Sequence, residues 1–138
     1  MHILVPLDDS EPAWAALEHA LEDNPGAQLT ALHVIDPSTA LYGEGGVYAY
    51  EAIIDSREAA AEELLSEAEE LAADYDVTLE TETTIGQPSR EIVAYVEEEG
   101  VDRIVIGSQG RSGASRVLLG SVAEAVARRA PVPVTIVR

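Results

Sequence analysis

Residues 101–122 constrain the fold more than any other part of this 138-residue chain. They begin with a short apolar run and continue through a glycine-containing loop, after which a helical pattern starts. The glycines have the spacing Gly107-x2-Gly110-x9-Gly120, and Ser121 follows the last of them. Glycine lets a backbone approach a ligand closely, and the free N–H groups at the start of a helix attract phosphate. The segment therefore predicts a buried strand, a phosphate-binding loop made of backbone, and a helix.

Strand-like and helix-like patterns alternate along the chain, which predicts a parallel sheet covered by helices. The predicted strands are residues 2–6, 29–35, 77–85, 101–106 and 132–137. Four helices are predicted. The first is capped by Ser10 and ends before Asn24-Pro25-Gly26, and the second covers residues 51–73. The third begins at Gly86-Gln87-Pro88-Ser89 and ends at Gly100, and the fourth runs from Ser121 to about Ala130. Alternating apolar and polar residues place the third strand at a sheet edge. Pro133 is tolerated in the last strand only if that strand is also an edge.

Residues 37–50, PSTALYGEGGVYAY, interrupt this alternation with three tyrosines and three glycines. The segment is too long for an ordinary connection between elements. It is equally compatible with a lid over a ligand and with a flexible surface loop. In the helix predicted after it, one apolar stripe faces the sheet and the glutamates face water; the stripe consists of Ala61, Leu64, Leu65, Ala68, Leu71 and Ala72.

The charge balance is strongly acidic, with 26 Asp and Glu residues against 8 basic residues and a formal net charge of −18. Such a surface repels nucleic acid and anionic membranes, so neither is an expected partner. A hydrophobic content of 46% and clear periodicity argue against disorder. We interpret the acidity as an adaptation to molar salt, in which charge repulsion is screened over roughly 3 Å.

The residue types that are absent exclude several kinds of chemistry. All eight basic residues are arginine, so the chain cannot form a Walker P-loop, a kinase-type lysine site or a Schiff base. The absence of cysteine removes disulfides, thiolate catalysis and thiolate metal sites. No apolar run reaches the roughly 18 residues of a membrane span, and the start MHILVPLDDS is unlike a signal peptide. We therefore expect a cytoplasmic protein.

The glycine spacing, with a hydroxyl residue after the third glycine, resembles the nucleotide-binding signature of the universal stress protein family. The segments HILVPLDDSEPAW, LTALHVIDP and PVPVTIVR are similar to the corresponding family segments. The resemblance covers essentially all 138 residues as one domain, and residues 39–52 are its loosest part. It implies an α/β fold, Rossmann-like and similar to adenine-nucleotide hydrolases. The expected sheet is open, with five parallel strands in the order 3-2-1-4-5 and helices on both faces.

The resemblance also implies a site for ATP, with Mg²⁺ bridging the phosphates through few protein ligands. The site is expected where the strand order reverses, beyond the carboxyl ends of strands one and four. A carboxylate such as Asp8 would accept a hydrogen bond from an adenine amino group or a ribose hydroxyl, and Val34 would line the adenine pocket through its backbone. The predicted cofactor-binding residues are Pro6, Leu7, Asp8, Val34, Ile106, Gly107, Gly110, Arg111, Gly120, Ser121, Val122 and Ala123.

Several of these residues have a competing structural interpretation. The three glycines could serve only as turn residues, and Ser121 could cap a helix instead of binding phosphate. Asp8 could be a turn acid, although Asp9 and Ser10 are better placed for that role. Two further observations bear on the site: Arg111 and Arg116 are rare positive charges inside the loop, and Ala123 replaces a Thr of some nucleotide-binding family members. His33 is predicted to be a hydrogen-bonded core residue.

The leading functional hypothesis is a regulatory, ATP-binding stress protein in which the nucleotide shifts a population of states. One alternative is an ATP-consuming enzyme, but such enzymes carry a Ser-Gly-Gly-x-Asp-Ser loop where this chain has PLDDS. We therefore expect ATP hydrolysis to be absent, slow or partner-dependent. Another alternative is an interaction protein that binds no nucleotide. The apolar last strand lies at an edge, where it invites pairing, and the resemblance implies a homodimer formed through it.

Overall fold

The computed structural model describes residues 1–38, 46–108 and 119–138. In these residues, five parallel strands form one sheet in the order β3-β2-β1-β4-β5, as the resemblance implied. The strands are β1 (His2–Pro6), β2 (Gln28–Ile35), β3 (Glu80–Ile85), β4 (Arg103–Gly107) and β5 (Val134–Val137). The described helices are α1 (Glu11–Asp23), α2 (Gly46–Ala73), α3 (Pro88–Glu99) and α4 (Ser121–Arg129).

The sheet is covered on both faces, because alternate strand residues point to opposite sides. On one face Ile3, Val5 and Val105 pack with α1 and α2. On the other face Leu4 and Ile104 pack with α3 and α4. These five side chains are fully buried, so β1 and β4 form the centre of the core and the predicted helix stripes supply its outer layers.

Local chemistry explains where two of the helices begin. The Ser10 hydroxyl accepts a hydrogen bond from the Ala13 N–H and caps α1, as predicted. The Gln87 side chain accepts from the Arg90 N–H and caps α3 in the same way. Helix α3 ends at Gly100, whose φ of 64° is a left-handed conformation that favours glycine.

Four predicted element starts are wrong, those of α2, β3, β4 and β5; β4 and β5 begin at Arg103 and Val134 rather than at residues 101 and 132. Helix α2 begins at Gly46 rather than at residue 51, so residues 46–50 of the predicted irregular segment are helical. Tyr50 and Ile54 lie one turn apart and pack with Ile35 at the end of β2, which stabilises this first part of the helix. Strand β3 begins at Glu80 rather than at residue 77. The question of a lid or loop at residues 39–45 lies outside the described residues.

The strand order reverses between β1 and β4, and pairing across this junction is short. The ladder from β1 to β2 runs from His2 to Pro6, whereas the ladder from β1 to β4 registers only Ile3 with Arg103 and Leu4 with Ile104 within the described strands. The carboxyl ends of β1 and β4 are therefore not paired with each other, which leaves room for a crevice there. Across the described part of the chain, no helix is long and apolar enough to cross a membrane.

Candidate nucleotide site

A cavity of about 130 Å³ lies at the carboxyl ends of the central strands. Its walls come from the ends of β1, β2 and β4 and from the first turns of α1, α3 and α4. Its polar lining groups include one carboxylate, Asp8, and one imidazole, His33, and most of the wall is apolar. The lining residues are Pro6, Leu7, Asp8, Ala13, Leu32, His33, Val34, Pro88, Ile92, Ile106, Gly107, Val122 and Ala123.

This cavity brings together eight of the twelve residues predicted from the sequence: Pro6, Leu7, Asp8, Val34, Ile106, Gly107, Val122 and Ala123. Gly120 and Ser121 do not line it, but they directly precede Val122 at the start of α4. The predictions for Gly110, Arg111 and Arg116 lie outside the described residues. The ends of β1, β2 and β4 and the start of α4 thus meet at the carboxyl end of the sheet.

Asp8 has a structural role in addition to its place in the cavity wall. Its Oδ1 accepts a hydrogen bond from the Ser10 N–H at 2.9 Å and another from the Ser10 hydroxyl. These bonds form a local turn that directs the chain into α1. The sequence favours Asp9 and Ser10 over Asp8 for a turn or capping role. Ser10 does cap α1, but Asp8 accepts the hydrogen bonds that form the turn. The same turn fixes the direction in which the Asp8 carboxylate faces the cavity.

Gly107 is required by close packing of a helix on a strand, not by a turn. A Cβ atom at this position would lie 2.6 Å from the carbonyl carbon of Pro12 and 2.7 Å from the amide nitrogen of Ala13. Both are backbone atoms in the first turn of α1, which cannot move aside as a flexible side chain can. The glycine therefore allows α1 to start directly above the end of β4.

The start of α4 has glycine as its N-cap residue, and no side-chain cap is present among the described residues. Gly120 is the N-cap residue and makes no side-chain hydrogen bond to the helix, whereas α1 and α3 have side-chain caps. Ser121 is the first helical residue and is exposed, so the predicted helix start is right but the predicted capping role of its hydroxyl is wrong. The Gly120 N–H donates a hydrogen bond of 2.7 Å to the Ser108 carbonyl oxygen, which connects this helix start to the end of β4.

The sequence interpretation of His33 needs correction. Its Nδ1 lies 2.8 Å from the Leu7 carbonyl oxygen, so the ring is hydrogen-bonded as expected. However, His33 is only half-buried and lines the cavity, so it is not a core residue. Further lining residues that the sequence did not place at the site are Ala13, Leu32, Pro88 and Ile92. A signal for Ile92 existed, because it lies one turn after the start of a helix predicted to pack on the sheet.

A second cavity, of about 460 Å³, adjoins the first and shares Asp8, His33 and Val34 with it. Its other wall is formed by α2, where Ala60, Ala61 and Leu64 provide an apolar surface. Arg57 of α2 also lines it and donates a hydrogen bond to the Asp36 carbonyl oxygen at 3.0 Å. The two cavities thus lie on either side of the end of β2.

Among the described residues, no group of three or more His, Asp or Glu side chains is arranged to hold a metal ion. The described groups with clearly shifted acidities lie on other parts of the sheet and helices. A hydrogen bond to Glu22 raises the pKa of Tyr75, and burial raises the pKa of Tyr95. Neither residue lines the cavity beside Asp8, so neither serves as an acid or base there.

An open parallel sheet with a cavity at the point where the strand order reverses is the arrangement of doubly wound α/β proteins, which bind their ligands at this point. The model of the universal stress protein family matches residues 1–138, and the chain belongs to this family. A universal stress protein of Methanocaldococcus jannaschii, MJ0531, is 34% identical over 99% of this chain and 81% of its own length. The structure of UspA from Lactobacillus plantarum has a TM-score of 0.90 and 31% identity, covering 100% of this chain and 97% of the other.

Ligands are present in some of the similar solved structures. A universal stress protein in complex with cAMP has a TM-score of 0.67 and 26% identity to this chain. The similarity covers 100% of this chain and 96% of the other. That protein, at least, holds an adenine nucleotide on this fold.

Proposed function

We propose that this universal stress protein binds ATP at the cavity between the ends of β1 and β4 and acts as a regulatory protein rather than as a rapid hydrolase. The observation that carries the proposal is the start of α4, where the N-cap residue is a glycine and makes no side-chain hydrogen bond to the helix. It adjoins a cavity to which Val122 and Ala123 of the same helix contribute. The first N–H groups of a helix have no partner within the helix, so this end offers donors and partial positive charge to a phosphate.

The remainder of the cavity suits an adenosine group. Its apolar walls, which include Leu32, Ile92 and Ile106, would cover the faces of a planar base. Asp8 presents acceptor oxygens that can bind an amino group or ribose hydroxyls. In this proposal Gly120 and Ser121 lie beside the phosphates, and Val34 contacts the base. Gly110 belongs to the proposal through the sequence signature, and Arg111 belongs to it as a rare positive charge in the same loop.

Mg²⁺ would bind mainly through the phosphates of the nucleotide, because it keeps most of its waters and needs few protein ligands. The ion would neutralise phosphate charge, which matters in a chain whose net charge is −18. The cAMP complex of a related protein supports an adenine nucleotide as the ligand class.

Calorimetric titration in molar KCl with magnesium tests this proposal. We expect ATP to bind with micromolar affinity and GTP to bind at least about tenfold more weakly, a difference of about 1.4 kcal/mol. The reason is that guanine presents a carbonyl oxygen where adenine presents an amino group, and Asp8 offers only acceptors. Absence of binding to either nucleotide would favour an interaction protein, whereas rapid phosphate release from bound ATP would favour an enzyme.

Three further parts of the proposal concern the setting in which the protein works. We propose a homodimer in which the edge strand β5 (Val134–Val137) pairs with its copy, since an unpaired edge invites a partner strand. Light scattering in molar salt should give twice the mass of the chain, and a monomer would contradict this. A cytoplasmic location and a high-salt habitat rest on composition alone.

A further inference from the structure

We infer that His33 is a specificity residue of the nucleotide site, and that its Nε2 accepts a hydrogen bond from a hydroxyl or amino group of the ligand. The inference rests on the nucleotide-binding function proposed above and goes beyond it by assigning a role to a residue outside the predicted site. Three observations support the inference. Nδ1 of His33 is hydrogen-bonded to Leu7, Nε2 has no hydrogen-bond partner among the described residues, and His33 lines both cavities.

The hydrogen bond to Leu7 fixes which ring nitrogen carries the proton. The Leu7 carbonyl oxygen can only accept, and it lies 2.8 Å from Nδ1 of His33. Nδ1 must therefore carry a hydrogen and donate it. In the neutral ring the other nitrogen, Nε2, is then an acceptor with a free lone pair. A ring fixed in this way is oriented before any ligand arrives.

Nε2 makes no hydrogen bond or ion pair with any residue of the described chain. His33 is half-buried and lines both cavities, and its Nε2 is reached by solvent, since no buried side-chain nitrogen of the described residues lacks a partner. An acceptor on a residue that lines a mostly apolar cavity, with no hydrogen-bond partner in the described part of the chain, gains most from a ligand that brings a donor.

His33 and Asp8 are the side chains shared by both cavities that can accept a hydrogen bond, and they differ in charge and in the bonds they already make. Asp8 and Val34 also line both cavities. The Oδ1 atom of Asp8 already accepts two hydrogen bonds from Ser10, and the side chain of Val34 has no polar atom. The Leu7 peptide is held on both sides, because its N–H donates to the Leu32 carbonyl and its carbonyl accepts from His33. His33 thus also holds the chain segment that precedes Asp8.

The substitution His33→Asn separates the ligand contact from this holding role. The amide nitrogen of asparagine can take the position of Nδ1 and donate to Leu7, but asparagine has no atom in the position of Nε2. His33→Leu removes both functions and serves as the matched control. Thermal unfolding should show His33→Asn close to the wild type and His33→Leu less stable, which confirms that the two variants differ as intended.

The affinities of ATP and three analogues then test the inference at about pH 8, where an ordinary imidazole is neutral. The analogues are 2′-deoxy-ATP, 3′-deoxy-ATP and purine riboside triphosphate, each of which lacks one donor. We expect the wild type to bind one of them about three- to tenfold more weakly than ATP, the effect of one hydrogen bond. The analogue that is affected identifies the donor as a ribose hydroxyl or as the adenine amino group.

His33→Asn should bind ATP and that analogue equally well, because the acceptor that distinguishes them is gone. If the discrimination survives in His33→Asn, another group such as Asp8 contacts the donor and the inference is wrong. It is equally wrong if the wild type binds ATP but discriminates against none of the analogues. A wild type that binds no ATP at all overturns the proposed function, an outcome distinct from the other two.

Discussion

Gly107 at the end of β4 and Pro12 in the first turn of α1 approach each other so closely that a single methyl group at position 107 would not fit. The Cβ of an alanine there would lie 2.6 Å from the carbonyl carbon of Pro12. This contact connects the two loops that the candidate site requires, the one after β1 and the one after β4. The first glycine of the signature is therefore needed for the fold, whatever ligand the site holds.

We expect Gly107→Ala to destabilise the protein by about 1–3 kcal/mol, because α1 or β4 must shift to relieve the overlap. Gly86→Ala is the matched control. The three atoms nearest to a Cβ at Gly86 belong to the side chain of Glu91, the closest being its Cγ at 2.7 Å. This side chain can rotate away at the cost of the hydrogen bond that it accepts from Thr84, so the change should cost about 1 kcal/mol, less than a clash with backbone. Denaturant unfolding of both variants checks the prediction. Equal stability losses would show that the packing of α1 on β4 tolerates a side chain.

Substitutions of the N-cap residue Gly120 should separate the stability of α4 from phosphate binding. In Gly120→Asp the new carboxylate caps the helix, so stability should change by only a few tenths of a kcal/mol. ATP should bind at least about tenfold more weakly, since the carboxylate occupies the N–H groups and repels phosphate.

Gly120→Ala is the control for this pair. It adds no capping group, so it should lose about 0.5–1 kcal/mol of stability and keep most of the ATP affinity. The backbone of Gly120, with φ −65° and ψ 157°, accepts either side chain. Calorimetry and denaturant unfolding measure the two effects. Full ATP affinity in Gly120→Asp would contradict phosphate binding at the start of α4.

The stability of the protein should rise with salt concentration, since repulsion among 26 acidic residues is screened in molar KCl. We expect the thermal midpoint to increase by several degrees between dilute buffer and molar KCl. A variant in which Glu62, Glu63 and Glu70 on the exposed face of α2 become glutamine should show a smaller increase. A thermal midpoint that does not change with salt concentration would contradict the interpretation of the acidic surface as an adaptation to molar salt.

Tyr95 should make the protein sensitive to alkaline pH. Burial raises the pKa of its phenol above the ordinary value of 10.0, and Glu82, Glu99 and Glu80 raise it further, while a hydrogen bond with Thr30 acts in the opposite direction. Because the folded state favours the neutral phenol, this stability is present below about pH 10 and is lost as the pH rises through the folded-state pKa. Tyr95→Phe should unfold at a higher pH than the wild type. A titration of stability against pH measures the shift, and an identical pH dependence would contradict it.

Local signals predicted most of the fold from the sequence. Ser10 and Gly100 act within their own helix ends, so residue type alone identified the start of α1 and the end of α3. The start of α2 could not be found in this way, because it depends on Tyr50 and Ile54 packing with Ile35, a contact between distant segments. Residue preferences do not report such contacts.

In the candidate site, too, local features could be predicted from the sequence and contacts between distant segments could not. The sequence predicted that the end of β1 and the start of α4 lie close together, and residues of both line the same cavity. The sequence did not show that Gly107 packs under α1, nor that His33 lines a cavity instead of the core. Both properties depend on which face of an element a neighbour covers. The hydroxyl of Ser121 was expected to cap α4, but the helix begins one residue too early for that role.

The most direct test of the nucleotide site is an amide NMR titration with magnesium ATP in molar KCl. Binding at the proposed position should shift the resonances of Ser121, Val122 and Ala123 at the start of α4, together with that of Asp8. The amides of β3, at the edge of the sheet, should remain unchanged. Shifts confined to other surfaces, or no shifts at saturating ATP, would contradict phosphate binding at this helix start.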